Sequence, residues 1–169
     1  SLNAADRAGE VSPGGAGALA LAGSVLGLPR QAAYYADRAD TWCRANGAWA
    51  ELADLKIHLA SVHLGRADLA TSEQIIAEAR ELALRSGSSQ RLALTHGVKG
   101  LCDAFRGDFA GALRGAEASL ATWRSAQGTG MRVGHLVARS LTLERLGRAA
   151  ETLPELEAHR DYEPAYDRM

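Results

Sequence analysis

The chain has 169 residues, 47% hydrophobic and 23% charged, with a formal net charge of -1. This balance excludes a disordered chain, and the lack of a basic excess argues against direct nucleic-acid binding. Two cysteines are too few for a disulfide framework, and no apolar run approaches the ~20 residues that span a bilayer. We therefore expect a cytoplasmic protein without membrane segments. Only two of its 19 basic residues are lysines, which indicates a GC-rich bacterial source.

Regularly spaced glycines divide the chain into predicted helices. One series, spaced by 38, 42 and 40 residues, consists of Gly27, Gly65, Gly107 and Gly147. Each is expected to take the left-handed conformation that ends a helix, which glycine adopts without steric cost. A second series at residues 47, 87 and 128 is spaced by 40 and 41 residues. Two interleaved series predict a helix-turn-helix unit that recurs about every 40 residues.

The predicted helices follow from this spacing in chain order. The first helices of the pairs are expected at 13–26, 49–64, 89–105 and 131–146, and the second helices at 29–45, 68–85, 109–126 and 149–160. Pro29 suits a first helical turn, and Asp68 and Asp108 suit N-caps.

The whole chain, 1–169, is predicted to be one repeat domain cut from a longer protein. Residues 1–9 are interpreted as the remnant of a preceding helix and 161–169 as a tail. The repeats are expected at 13–47, 49–87, 89–128 and 131–160.

The turns carry a family resemblance. A glycine followed five residues later by an alanine occurs in the pairs Gly27/Ala32, Gly65/Ala70 and Gly107/Ala112. Phe109 adds an aromatic residue two positions after Gly107, whereas Gly147 is followed by Thr152 instead of alanine. This pattern resembles the turn of a tetratricopeptide (TPR-like) repeat. The long period is similar to the sensor regions of large bacterial LuxR-type and maltose-regulator-type transcriptional regulators.

The resemblance implies an all-α, right-handed α-solenoid of about four antiparallel helix pairs. In this family the first helices line a concave groove that binds a peptide, a protein or a small effector. The family pattern contains no catalytic residue and no cofactor, and the sequence itself has neither a Walker phosphate loop nor a dinucleotide fingerprint.

Polar residues at helical spacing on the first helices are the candidates for this groove. They are Glu51, Asp54, His58, Thr95, Lys99, Asp103, His135 and Arg139. Acidic residues at one end and basic residues at the other would suit a polar or zwitterionic ligand. The alternative interpretation is that these are ordinary solvated helix faces.

Asp54 and His58 also have the four-residue spacing of a two-ligand metal site, with Glu51 one turn earlier. A third protein ligand such as His135 would have to come from another helix. Because the sequence has no His-Glu-x-x-His motif and no cysteine pair, we predict a surface pair and no metal site.

The sequence therefore favours a non-catalytic ligand- or protein-binding module, the sensor or scaffold part of a transcriptional regulator. One alternative is a small helical enzyme, metal-dependent or acid/base, with a pocket around Asp54, His58 and His135. Another is a self-associating structural array, in which a second copy fills the groove and forms a homo-oligomer.

Overall fold

The computed structural model describes residues 13–124 and 130–157, and this part of the chain is helical with no strand. The all-α prediction is confirmed. In chain order the helices are α1 (Pro13–Val25), α2 (Pro29–Asn46), α3 (Trp49–Gly65), α4 (Leu69–Ser86), α5 (Ser89–Phe105), α6 (Phe109–Arg124), α7 (Gly130–Arg145), a 3₁₀ helix (Ala149–Thr152) and α8 (Leu153–Glu157). None of these described helices combines the length and apolar character needed to cross a membrane.

The chain divides into two compact units. Unit 1 is Ser1–Gly87 and contains α1 to α4; unit 2 is Ser88–Met169 and contains α5 to α8. Each unit holds two successive helix pairs joined by short turns.

The helices begin where the sequence supplies suitable first-turn residues. Pro29 opens α2, where its missing N–H is not needed. The Asp68 carboxylate accepts a hydrogen bond from the Thr71 N–H at 3.3 Å, and Asp108 accepts one from the Gly111 N–H at 2.8 Å. Both predicted N-caps are confirmed, and Ser88 caps α5 in the same way without having been predicted.

The turns follow a stricter period than the glycine letters suggest. Positive backbone φ angles occur at residues 27, 67, 107 and 147, each 40 residues after the last, and at 47 and 87. The prediction for Gly65 is wrong, because Gly65 is the last residue of α3 and the left-handed residue is Ala67, with φ 60°. The reason is that the turn must precede the Asp68 N-cap, and this fixes Ala67 rather than the nearest glycine in the bend.

The same shift corrects the predicted small residue Ala70. Ala70 is exposed, and the equivalent buried position, five residues after the left-handed one, is Ser72. Ala32, Ala112 and Thr152 are buried at this position in the other pairs. Thr152, which seemed to break the pattern, therefore keeps it. Phe109 is half-buried at the start of α6.

The predicted helix at 149–160 is also corrected. The structure has a 3₁₀ helix over 149–152 and then α8, which ends at Glu157. Pro154 has no N–H to donate to the preceding turn, and its ring disfavours helical geometry at Leu153. An α-helix therefore cannot continue through this point without a break.

Contacts within each pair show antiparallel packing. In unit 1 the Ser72 hydroxyl, early in α4, donates to the Ala60 carbonyl, late in α3, at 2.8 Å. The guanidinium of Arg85, late in α4, lies 3.7 Å from the ring centre of Trp49, the first residue of α3. In unit 2 the Ser119 hydroxyl of α6 donates to the Ala93 carbonyl of α5 at 2.7 Å.

Small residues form much of the core, again in the 40-residue phase. Buried sets are Ala20, Ala60 and Gly100 on the first helices and Ala39, Ala79 and Ser119 on the second helices. Small side chains at facing positions let helix backbones approach closely, which maximises dispersion contacts between them.

Candidate functional site

Three helices of unit 1 surround a cavity of about 310 Å³. Its lining consists of Gly17, Ala18 and Leu21 of α1, Ala39 and Cys43 of α2, and Glu51, Asp54, Leu55 and His58 of α3. This is within the size range of pockets that bind small molecules.

The wall formed by α1 and α2 is apolar and made of small residues. A Cβ atom added at Gly17 would meet only the Leu55 Cδ1 atom, at 3.9 Å. The space exists because small residues occupy positions where larger side chains would fill it. Ala18 is exposed at the edge of the cavity, whereas Ala39 lies buried in its wall.

The polar side of the cavity comes from one face of α3. Glu51, Asp54 and His58 are separated by three and four residues, so their side chains lie along the same side of the helix. Glu51 lies in the first turn of α3, where a carboxylate interacts favourably with the helix N-terminus. Glu51 and His58 are exposed, and Asp54 is half-buried.

A hydrogen bond fixes the proton on the His58 ring. The Nδ1 atom lies 2.7 Å from the backbone carbonyl oxygen of Asp54. A carbonyl can only accept, so Nδ1 is the donor, and the Nε2 atom of the neutral ring is left as an acceptor. The bond runs to the Asp54 backbone, so the two residues are not joined as the carboxylate–imidazole pair of many acid/base enzymes.

Cys43 is part of the cavity wall and was not among the predicted site residues. It is 3% exposed and belongs to the buried stripe of α2 formed with Ala32, Tyr35 and Ala39. Burial raises the pKa of the Cys43 thiol, and the negative charges of Glu51 and Asp40 raise it further. The thiol therefore stays protonated at neutral pH and acts as a neutral, weakly polar wall.

An ion network on the same helices was also not predicted. Lys56 of α3 contacts Asp40 of α2 at 2.7 Å and Glu78 of α4 at 3.0 Å, and Arg44 pairs with both carboxylates. Partial burial alone would raise the pKa of Asp40, but the hydrogen bonds and charges of Arg44 and Lys56 outweigh it and lower that pKa. Burial would lower the pKa of Lys56, but Asp40 and Glu78 raise it.

The other predicted groove residues belong to unit 2. Thr95 is 2% exposed and its hydroxyl donates to the Leu92 carbonyl at 2.7 Å, so it is a packing residue. Lys99 forms an ion pair with Asp103, one turn later on α5. Arg139 of α7 lies 4.0 Å from Glu117 of α6. These polar groups contact other residues of their own unit.

His135 falls in α7, but its side chain lies outside the described residues. Among residues whose positions are described, no group of three or more His, Cys, Asp or Glu side chains could hold a metal ion. The structure thus brings together Glu51, Asp54 and His58, all from one helix, at a single cavity.

Comparisons with known proteins add no relative. A scan against protein-family models, a search of curated proteins and a search of solved structures each found no match to the chain.

Proposed function

We propose that the chain is a non-catalytic helical-repeat module and that the unit 1 cavity is its binding site. The observation that carries this proposal is the convergence of Glu51, Asp54 and His58 on one apolar-walled space of about 310 Å³. Concave apolar pockets with a few oriented polar groups are the usual form of small-molecule sites.

The architecture we propose is a TPR-like α-solenoid. Two features support it: left-handed turn residues recur every 40 residues, and a small buried residue follows each by five positions. The second feature is the Gly-to-Ala spacing of the tetratricopeptide turn, kept here as burial of Ala32, Ser72, Ala112 and Thr152.

The biological setting we propose is the sensor part of a bacterial transcriptional regulator. Helices α1, α2 and α3 come from two successive pairs, so a ligand between them would favour one arrangement of the pairs over another. A ligand shifts such an equilibrium by the difference between its affinities for the two arrangements.

The enzyme alternative has less support. The bond from His58 to the Asp54 backbone carbonyl uses the ring nitrogen that an acid/base pair would give to a carboxylate. The polar groups at the cavity instead present acceptors to a ligand.

Thermal denaturation with a library of metabolites and short peptides tests the binding proposal. A ligand at 100 times its Kd adds about 2.7 kcal/mol of stability, enough to raise Tm by about 5 °C or more. An Ala18→Phe variant, which places a ring at the cavity edge, is expected to lose this shift.

Ala22→Phe is the matched control, because Ala22 is also an exposed alanine of α1 but does not line the cavity. It should keep the shift. Equal shifts in both variants would place the binding site elsewhere, and a library without any stabilising compound would refute the proposal.

A further inference from the structure

Resting on the proposed function, we propose that the unit 1 cavity selects ligands with a protonated amine on a small apolar body. The argument begins from the division of its lining. Apolar and small residues of α1 and α2, together with Leu55, form one side, and polar groups of α3 form the other.

The polar side offers hydrogen-bond acceptors. Glu51 and Asp54 contribute carboxylate oxygens, and the neutral His58 ring contributes Nε2 because its Nδ1 hydrogen is donated to the Asp54 carbonyl. A ligand with several N–H donors matches three acceptors, whereas a ligand carboxylate or phosphate would face two negative charges.

The described lining contains no lysine or arginine to neutralise these acids. Lys56 lies only two residues after Asp54, but residues two apart on a helix point in different directions. Its amine contacts Asp40 and Glu78 instead. Arg44 pairs with the same two carboxylates, and Arg85 stacks on Trp49. The basic groups of α2, α3 and α4 named here are thus engaged away from the cavity.

The charge of Glu51 acts across the cavity wall. Glu51 helps to raise the pKa of the buried Cys43 thiol, after burial itself, so its negative charge disfavours a thiolate there. The same field that opposes a second anion favours a cation. Because Cys43 stays protonated, it also supplies no competing charge.

The cavity volume limits the ligand. At about 30 Å³ of liquid volume per water molecule, 310 Å³ corresponds to about ten waters. The matching ligand has about ten non-hydrogen atoms, with its apolar part against Leu21 and Leu55 and its ammonium group toward Glu51.

The test uses three probes that share one phenyl body: 2-phenylethylamine, 2-phenylethanol and phenylacetate. Calorimetric titration of the 169-residue chain gives affinities, and amide chemical shifts of α1 to α3 locate the site. We expect the amine to bind at least about tenfold more tightly than the alcohol, because charges a few ångströms apart still attract near a protein surface. No binding of phenylacetate is expected.

Glu51→Gln should weaken amine binding at least about fivefold and leave alcohol binding unchanged. Glu81→Gln is the control, because Glu81 is exposed on α4 and does not line the cavity. It should change neither affinity. Asp54→Asn provides a second charge-removing variant of the cavity if Glu51→Gln does not fold.

The outcomes separate this inference from the proposed function. If the alcohol or the carboxylate binds in the cavity as tightly as the amine, the inference fails and the binding module stands. If the three probes do not bind but a library compound does, with its shift lost in Ala18→Phe, again only the inference fails. If nothing binds, both fail.

Discussion

The two units share their turns but differ in how their helices pack. Unit 1 has a cavity of about 310 Å³ between α1 and α3, whereas the space between α5 and α7 of unit 2 is about 20 Å³. Unit 1 is braced by the ion network of Lys56. In unit 2 the backbones of α5 and α6 meet at Gly100 and Gly115, where an added Cβ at 115 would lie 2.7 Å from the Gly100 Cα atom.

This comparison shows that register and interior space are set by different residues. The turns keep the same 40-residue phase in both units, so helix length does not explain the difference. The residues at equivalent positions do differ: unit 1 has the buried Tyr35 where unit 2 has Gly115, and Lys56 where unit 2 has His96. The repeat fixes where helices lie, and single side chains decide whether space remains.

The largest expected effect is at the close contact of unit 2. Gly115→Ala should lower the free energy of unfolding by about 3 kcal/mol, because the new Cβ meets backbone atoms that cannot rotate away. These atoms are the Gly100 Cα and the His96 carbonyl oxygen, the latter at 3.0 Å. Urea denaturation followed by circular dichroism measures the loss. Hydrogen exchange should show it in α5 and α6, with α1 to α4 unchanged.

Gly17→Ala is the corresponding change in unit 1. The added methyl group meets only Leu55 Cδ1, and alanine favours a helix by about 1 kcal/mol over glycine. We therefore expect a slightly more stable protein. Equal losses in both variants would contradict the packing difference between the units.

The second prediction concerns the ion network. Lys56→Met keeps the unbranched stem but removes the amine from Asp40 and Glu78, and should cost about 2 kcal/mol. Lys99→Met in unit 2 removes an exposed pair within one helix and should cost about 0.5 kcal/mol or less. Chemical denaturation of both variants compares them, and a loss at Lys99 as large as that at Lys56 would argue against a bracing role for the network.

The third prediction uses the shared turn position in opposite directions. Ala67→Gly should raise stability by about 1 kcal/mol, because the alanine Cβ is strained at φ 60°. Gly107→Ala should lower stability by about the same amount, because φ there is 81°. Calorimetric melting gives both signs. Two changes of the same sign would show that these residues do not occupy equivalent turns.

The smallest effect is the pH dependence of Asp40. Its pKa lies below the ordinary 3.8, so its ionised form stabilises the folded state. This contribution is present above 3.8 and is lost as the pH falls from there through the lower folded value. Asp40→Asn should remove that part of the acid destabilisation, worth less than about 1 kcal/mol for a partly exposed group. Melting curves between about pH 6 and about pH 3 test this, and parallel profiles would contradict it.

The sequence alone predicted α1 to α7 to within two residues at each end, because glycine, proline and acidic caps mark where helices stop and start. It failed at Gly65 because Ala67, an ordinary helix former, takes a conformation that alanine rarely adopts. Pro154 did signal the break before α8, but the apolar periodicity around it was given more weight.

The site was predicted only in part. Helical spacing identified Glu51, Asp54 and His58 as one face, which is a local property of the sequence. The cavity itself depends on volume that small residues such as Gly17 do not fill. The ion network joins Asp40, Lys56 and Glu78 from three helices, and no periodicity within one helix reveals such contacts.

The common phase of Gly27, Ala67, Gly107 and Gly147 has a genetic consequence. Recombination between two copies that removes or duplicates forty codons would join each helix to its counterpart at the same residue of the next pair. Every turn would still fall at a helix end, and each new pair would meet a neighbour with small residues at matching positions. Chains that arose by such exchange should therefore differ in length by multiples of forty residues, and a gain or loss of any other size should disrupt the helix in which it occurs.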